Sequence, residues 1–211
     1  TITRDSLPRL SECVEFICQN TQARMIRAEP LYCRGRAAKE GLVPPDAGDF
    51  VERFRAAGEV AANMGRSLTY SGARFSGVFG SFCSYPSPTF GVTPEGNLTC
   101  CYEVLHPDDP LREHFFYGHI PADGSSVIVD EERVAAIRAR AAERQEACAH
   151  CFCVFACAGD CAAKVADASF PDAGLSSRCR ITRALMCDML VSALAGKSLL
   201  QSASAPVGGG A

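Results

Sequence analysis

The sequence predicts an α/β segment of incomplete parallel β/α units, followed by a small cysteine-rich α+β domain with a β-hairpin and helices. Three observations carry this. Helical and strand patterns alternate over the first 78 residues, a Pro-Glu-Gly-Asn turn divides two strand patterns near the middle, and seven of the thirteen cysteines fall between Cys148 and Cys187. Alternating helix and strand is the mark of a parallel sheet with crossover helices. Crowded cysteines in a chain without an export signal point to metal ligation.

Taken in order, residues 7–19 pattern as a helix, with Ser6 as its cap and Leu7, Leu10, Val14 and Ile17 on one face. A strand over residues 23–28 follows, then a Gly- and Pro-containing loop to Ala47. A second helix is expected to begin at Asp49, where Asp49 and Glu52 form a capping box. Phe50, Phe54, Ala57, Ala61 and Met64 make its apolar stripe, and Gly65 ends it. Residues 67–70 form the next strand. These strands are too few to close a barrel or to bury both faces of a sheet.

From about Gly77 the composition shifts to Gly, Ser and Pro. A hairpin is expected next, with strands over 89–93 and 98–103 flanking Pro94-Glu95-Gly96-Asn97. A helix should start at Asp130, because Val134, Ile137 and Ala141 recur at helical spacing, and it leads into the cysteine cluster. The last helix is expected over 181–195, with Ile181, Leu185, Val191 and Leu194 apolar and Gly196 as the stop. The Ser/Ala/Gly-rich tail from Ser202 is expected to be disordered. Domain boundaries are therefore placed at 1–78, 79–200 and 201–211.

Composition excludes several classes. The 211 residues are 47% hydrophobic, enough for a core, and the formal net charge of -3 comes from interspersed charges. No basic footprint for nucleic acid or an anionic membrane is present. There is no membrane-length apolar run and no signal-peptide pattern, so a cytoplasmic protein is expected. The chain opens at Thr1 with residues that pattern as the end of a strand, which suggests a trimmed or partial sequence.

The densest feature is Cys148, Cys151, Cys157 and Cys161, spaced C-x2-C-x5-C-x3-C. Thiolates this close can converge on one inorganic centre from a single loop-to-helix segment. Upstream, Cys83 and Cys101 bracket the hairpin, with twelve residues between Cys83 and Gly96 and four between Gly96 and Cys101; downstream, Cys179 precedes the last helix. Structural zinc would use the same ligand type, but zinc sites usually pair two separated C-x2-C units, and one is present here. Cys13, Cys18, Cys33 and Cys187 are expected to be core packing. Cys100 and Cys153 are balanced between packing and ligation. Asp160 and Lys164 are read as a solvated charge or a hydrogen bond near sulfur rather than as an acid and base.

This seven-cysteine, one-glycine pattern resembles the SPASM domain, the C-terminal extension of radical-SAM enzymes that modify peptides and proteins. The first third of the chain, with Glu29-Pro30-Leu31 and Gly35-Arg36-Ala37, resembles the late β/α units of their partial, TIM-like barrel. The resemblance implies two [4Fe-4S] clusters, one held by Cys148, Cys151, Cys157 and Cys179, the other by Cys83, Cys101 and Cys161. A fourth ligand for the latter would be Cys100 or Cys153, or else the iron keeps an open site for a substrate thiolate, the favoured alternative.

The C-x3-C-x2-C that binds the S-adenosylmethionine cluster is absent, so the resemblance places that catalytic half, with its own [4Fe-4S] cluster and S-adenosylmethionine, in an N-terminal radical-SAM core outside this sequence. No catalytic residue is assigned here, and the chain by itself would be inactive. The implied partners are a peptide or protein substrate, as for sulfatase-maturing enzymes and ribosomal-peptide maturases, and a flavodoxin- or ferredoxin-type electron donor. The competing expectations are a stand-alone iron-sulfur electron-transfer or peptide-binding module, and a structural zinc domain.

Overall fold

The computed structural model describes residues 1–85, 91–166 and 176–196. It divides into two compact units, Thr1–Gly77 with Gly174–Ala211, and Val78–Ala173. The described residues hold one two-stranded parallel sheet and one four-stranded antiparallel sheet, and they close no barrel.

In the first unit a 3-10 turn, Leu7–Arg9, runs into α1, Leu10–Asn20, whose Leu10, Val14 and Cys18 are buried at a spacing of four. Ser6 does not cap it. Its backbone is already helical, at φ -85° and ψ -18°, not the extended conformation a capping residue needs, and its side chain bonds Thr3 instead. Strands β1, Met25–Arg27, and β2, Ser67–Thr69, pair in parallel with Ile26 opposite Leu68, joined through α3, Ala47–Asn63. Between β1 and α3 lies one helical turn, α2, Arg36–Lys39. Ile2 forms a single parallel bridge with Pro30.

α3 starts before Asp49. Asp46, extended at φ -61° and ψ 148°, accepts the Gly48 and Asp49 amides at 2.7 and 3.3 Å, which makes it the cap. Phe50, Phe54, Ala57 and Ala61 are buried, while Met64, past the last turn, is 36% exposed.

The second sheet is an antiparallel meander: β3, Gly91–Val92; β4, Asn97–Thr99; β5, Phe116–His119; and β6, Ile128–Val129. A one-turn helix, α4, Arg112–Phe115, precedes β5. These short elements fall in a stretch where the sequence shows only polar and Pro punctuation. α5, Glu131–Ala147, is capped by Asp130, which accepts the Arg133 amide at 3.0 Å, and buries Ile137. The cysteine run then carries α6, Val154–Cys157, and α7, Ala162–Ala166.

The last helix, α8, Ser177–Leu194, belongs to the first unit and begins four residues ahead of expectation, because Ser176 accepts the Cys179 amide at 3.1 Å. Its buried positions include Ile181, Leu185 and Met189, whereas Val191 and Leu194, expected inward, are exposed. The expected tail from Ser202 lies outside the described residues. Among the described residues no helix is long and apolar enough to cross a membrane.

Candidate metal centre

All thirteen cysteines fall within described residues, and all are thiols rather than disulfides. Core packing holds for Cys18 but not for Cys13, Cys33 or Cys187, which are exposed. Cys13 sits one residue before Val14 and so turns off the buried α1 face, and Cys187 precedes the partly exposed Asp188 on α8. Cys83 is also exposed. Cys100, Cys101, Cys148, Cys151, Cys161 and Cys179 are half-buried, and Cys153 and Cys157 are buried.

Three of these thiols, Cys100, Cys101 and Cys161, pack on one core of the second unit, and Cys83 lines a cavity there. The hairpin turn is closed by the Thr93 amide donating to Asn97 O at 2.9 Å and the Gly96 amide donating to Thr93 O at 2.9 Å. Gly96 takes φ 83°, and a Cβ there would stand 2.6 Å from the Ile120 carbonyl, so the turn needs glycine twice over. β4 leaves this turn, and its register against β5 shifts between Leu98 and Thr99. Just beyond, the Cys100 amide and Sγ both lie on the Phe115 carbonyl, at 3.1 and 3.4 Å. The Thr99 hydroxyl accepts the Cys101 amide at 3.2 Å and lies 3.0 Å from Val104 O, pinning the bend that carries both cysteines.

Cys100, Cys101 and Cys161 pack against one buried cluster that includes Tyr85, Val104, Phe115 and Ile137. Tyr85 and Phe115 pack with ring centroids 5.4 Å apart, and the Tyr85 hydroxyl donates to Ile137 O at 3.2 Å. Cys83 lines a cavity of about 230 Å³ with Tyr85, Arg138, Arg144, Asp160 and Ala162, so it shares that space with both chain neighbours of Cys161.

Burial dominates the electrostatics of Cys100, Cys101 and Cys161. Burial pushes the Cys100 thiol up to about 12, and the neighbouring Cys101 and Cys83 charges add to it. Burial likewise pushes Cys101 to about 11, with Cys161, Glu103 and Cys83 adding to the rise, and raises Cys161. Burial thus favours the neutral thiol at Cys100, Cys101 and Cys161. Drawing them into thiolates takes the positive charge of a metal, whose binding releases their protons.

The loop before Cys161 has an unusual backbone. Ala158, Gly159 and Asp160 are left-handed in succession, at φ 52°, 79° and 65°. Side-chain residues adopt this conformation at a cost of about 1–2 kcal/mol each, so tertiary contacts must hold it. Arg144 of α5 donates to the Gly159 carbonyl, and Asp160, 4% exposed, accepts the Cys161 amide at 2.7 Å. Asp160 is therefore a buried anchor for the Cys161 amide, not a solvated charge.

Cys148, Cys151 and Cys157 follow α5 in one turn-rich stretch, where the Cys151 amide donates to Cys148 O at 2.9 Å and the Cys157 amide to Cys153 O at 2.8 Å. Cys179 lies in the first turn of α8, in the other unit. Among the described residues no three Cys, His, Asp or Glu side chains converge as a single metal ion requires. The donor set is all thiol, which structural zinc and iron-sulfur centres both accept. The supporting residues Tyr85, Thr99, Phe115 and Arg144 carry no sequence signal, because their role depends on the folded hairpin. No family model, curated protein or solved structure matches the chain.

Proposed function

We propose that this chain is the auxiliary iron-sulfur portion of a radical-SAM peptide- or protein-modifying enzyme. Residues 1–78 would be the late β/α part of its partial barrel, and residues 79–200 the SPASM domain. One centre rests on Cys83, Cys101 and Cys161. The other rests on Cys148, Cys151 and Cys157, to which the resemblance adds Cys179. The observation that carries the reading is the packing of Cys101 and Cys161, 60 positions apart in the sequence, on one buried core, with Cys83 lining a cavity beside Tyr85 of that core.

Clusters bound at these thiols would supply one-electron transfer, accepting the electron released as a radical peptide intermediate becomes product and passing it to a redox partner of flavodoxin or ferredoxin type. The residues of this chain do the holding and tuning. Tyr85, Val104 and Phe115 keep water from Cys100, Cys101 and Cys161, and so lower the local dielectric. Thr99 fixes the Cys101 amide, Asp160 fixes the Cys161 amide, and Arg144 clasps the loop between Cys157 and Cys161.

The test is metal analysis after anaerobic reconstitution of the whole chain with iron and sulfide. About eight irons and eight sulfides per chain are expected for two ferredoxin-type clusters, with a brown colour that bleaches on reduction. Colourless protein carrying stoichiometric zinc would overturn the reading in favour of a structural zinc domain.

A further inference from the structure

We propose that a cavity of the second unit, walled by Tyr85 and Phe115 and carrying Arg140 and Arg144, binds a monocarboxylate borne on an aromatic body. No cysteine lines this cavity of about 370 Å³, so the proposal goes beyond the iron-sulfur reading and is tested apart from it. The volume is at the low end of small-molecule sites, which fits one ring and a short acid arm.

One side of the cavity is a single stripe of α5. Arg140, Glu143, Arg144 and Ala147 follow one another at the spacings of three and four that share a helix face. Arg140 and Arg144 stand one turn apart, where like charges repel. An anion bound between them turns that repulsion into attraction. Glu143, the carboxylate of the lining, is exposed and pairs with neither arginine. Two guanidiniums against one carboxylate leave the lining net positive.

Both guanidiniums are anchored, and both keep donors in reserve. Arg140 donates from Nη2 to the His114 carbonyl at 3.1 Å, while its Nε is buried without a partner among the described residues. Arg144 donates from Nε to the Gly159 carbonyl, which leaves its Nη groups for another acceptor. A buried donor without an acceptor marks a place where the protein leaves one to be supplied. The guanidinium fork matches the two oxygens of a carboxylate, and anchoring each arginine beforehand lessens the ordering that binding requires.

The remaining lining selects the body of the ligand. Tyr85 and Phe115, with ring centroids 5.4 Å apart, give an aromatic wall, which a further ring can meet offset or edge-on. The charge of Glu143 opposes a second negative charge on the ligand, which places a monocarboxylate above a phosphate dianion. Two sources carry this chemistry: a free arylalkanoic acid, and the C-terminal carboxylate of a peptide that ends in an aromatic residue.

The experiment is a calorimetric titration of the whole chain, kept anaerobic so that its thiols stay reduced. The probes are 3-phenylpropanoate, 3-phenylpropanamide, inorganic phosphate, and a short peptide ending in Phe as free acid and as amide. 3-Phenylpropanoate should bind, with its amide weaker by about tenfold or more because a charge-assisted hydrogen bond is lost, and phosphate should bind more weakly than the acid. Arg140→Gln keeps a donor for the His114 carbonyl, so it should stay folded by circular dichroism, lose about tenfold in affinity for the acid and leave the amide unmoved. Glu143→Gln should bind the acid more tightly and narrow its lead over phosphate. Peptide acid that binds at least as tightly as 3-phenylpropanoate assigns the site to peptide ends, and weaker binding assigns it to free acids.

Absence of acid binding would overturn the proposal, and so would equal affinity for acid and amide. A folded Arg140→Gln protein that binds the acid like the parent would do the same. Should that variant not fold, the comparison of acid with amide and the response of Glu143→Gln still decide. The iron content of the same preparation tests the cluster reading separately, so either can fail alone.

Discussion

Arg55 of α3 grips Asp188 of α8 with two parallel hydrogen bonds, Nε to Oδ2 at 2.7 Å and Nη2 to Oδ1 at 2.9 Å. The forked guanidinium matches the carboxylate in a way a lysine ammonium cannot. Both side chains are about half exposed, so the pair is worth at most about 1 kcal/mol. Arg55→Lys should lower stability by that amount or less in urea titrations at low salt, and the difference should shrink in high salt. A loss that salt leaves untouched would mean that packing, not charge, is what the substitution removes.

Asp46 caps α3, and the Asp49 and Gly48 amides hold its carboxyl below the usual carboxylate range. A depressed folded-state pKa contributes stability above the unfolded pKa, and this contribution is lost as the pH falls through the folded one. Asp46→Ala should cost about 1 kcal/mol near neutral pH. The gap between parent and variant should narrow below the normal Asp range, as followed by thermal melts across an acid series. A gap that stays constant into acid would show that the carboxylate is not the capping group.

Two glycines separate strain from flexibility. Gly96→Ala must place a side chain at φ 83° and 2.6 Å from a backbone carbonyl, costing at least about 1–2 kcal/mol from the backbone alone. Gly58 lies inside α3 with open space where a Cβ would sit, so its change to Ala should gain about 1 kcal/mol. Melting temperatures of the two variants should move in opposite directions, and a common direction would contradict the turn geometry.

Asp160 combines a left-handed backbone, burial and a bond to the Cys161 amide. Asp160→Asn keeps an oxygen for that amide and tolerates positive φ, so it should fold and load iron like the parent. Asp160→Val puts a β-branched residue at φ 65° and leaves the amide without its acceptor, at about 1–3 kcal/mol for the lost bond. It should melt earlier and retain less iron; equal behaviour of the two variants would show that neither the bond nor the backbone conformation matters.

The helices α3 and α5 and the Gly96 turn are legible in sequence because each carries a local signal: an apolar period, a capping carboxylate or a residue suited to positive φ. Helix starts are less so, since Asp46 and Asp49 are equally good caps by residue type and only the extended backbone at Asp46 decides between them. β5 and β6 have four and two residues, too short for a pattern to rise above their surroundings. On α8 the sequence marks the helix but misplaces part of its apolar face, because Met189 goes inward while Val191 and Leu194 do not.

At the candidate site, spacing nominates the cysteines but says nothing of what holds them. The position of Cys100 depends on a register shift one residue upstream, and the left-handed loop before Cys161 depends on a clasp from α5.

That clasp reaches beyond shape. The guanidinium of Arg144 lodges a positive charge against the backbone between Cys157 and Cys161. A redox group bound beside it would grow more negative on reduction, and the fixed charge would favour that electron-rich form. The same side chain that holds a strained loop in place would thereby bias such a group toward keeping an electron.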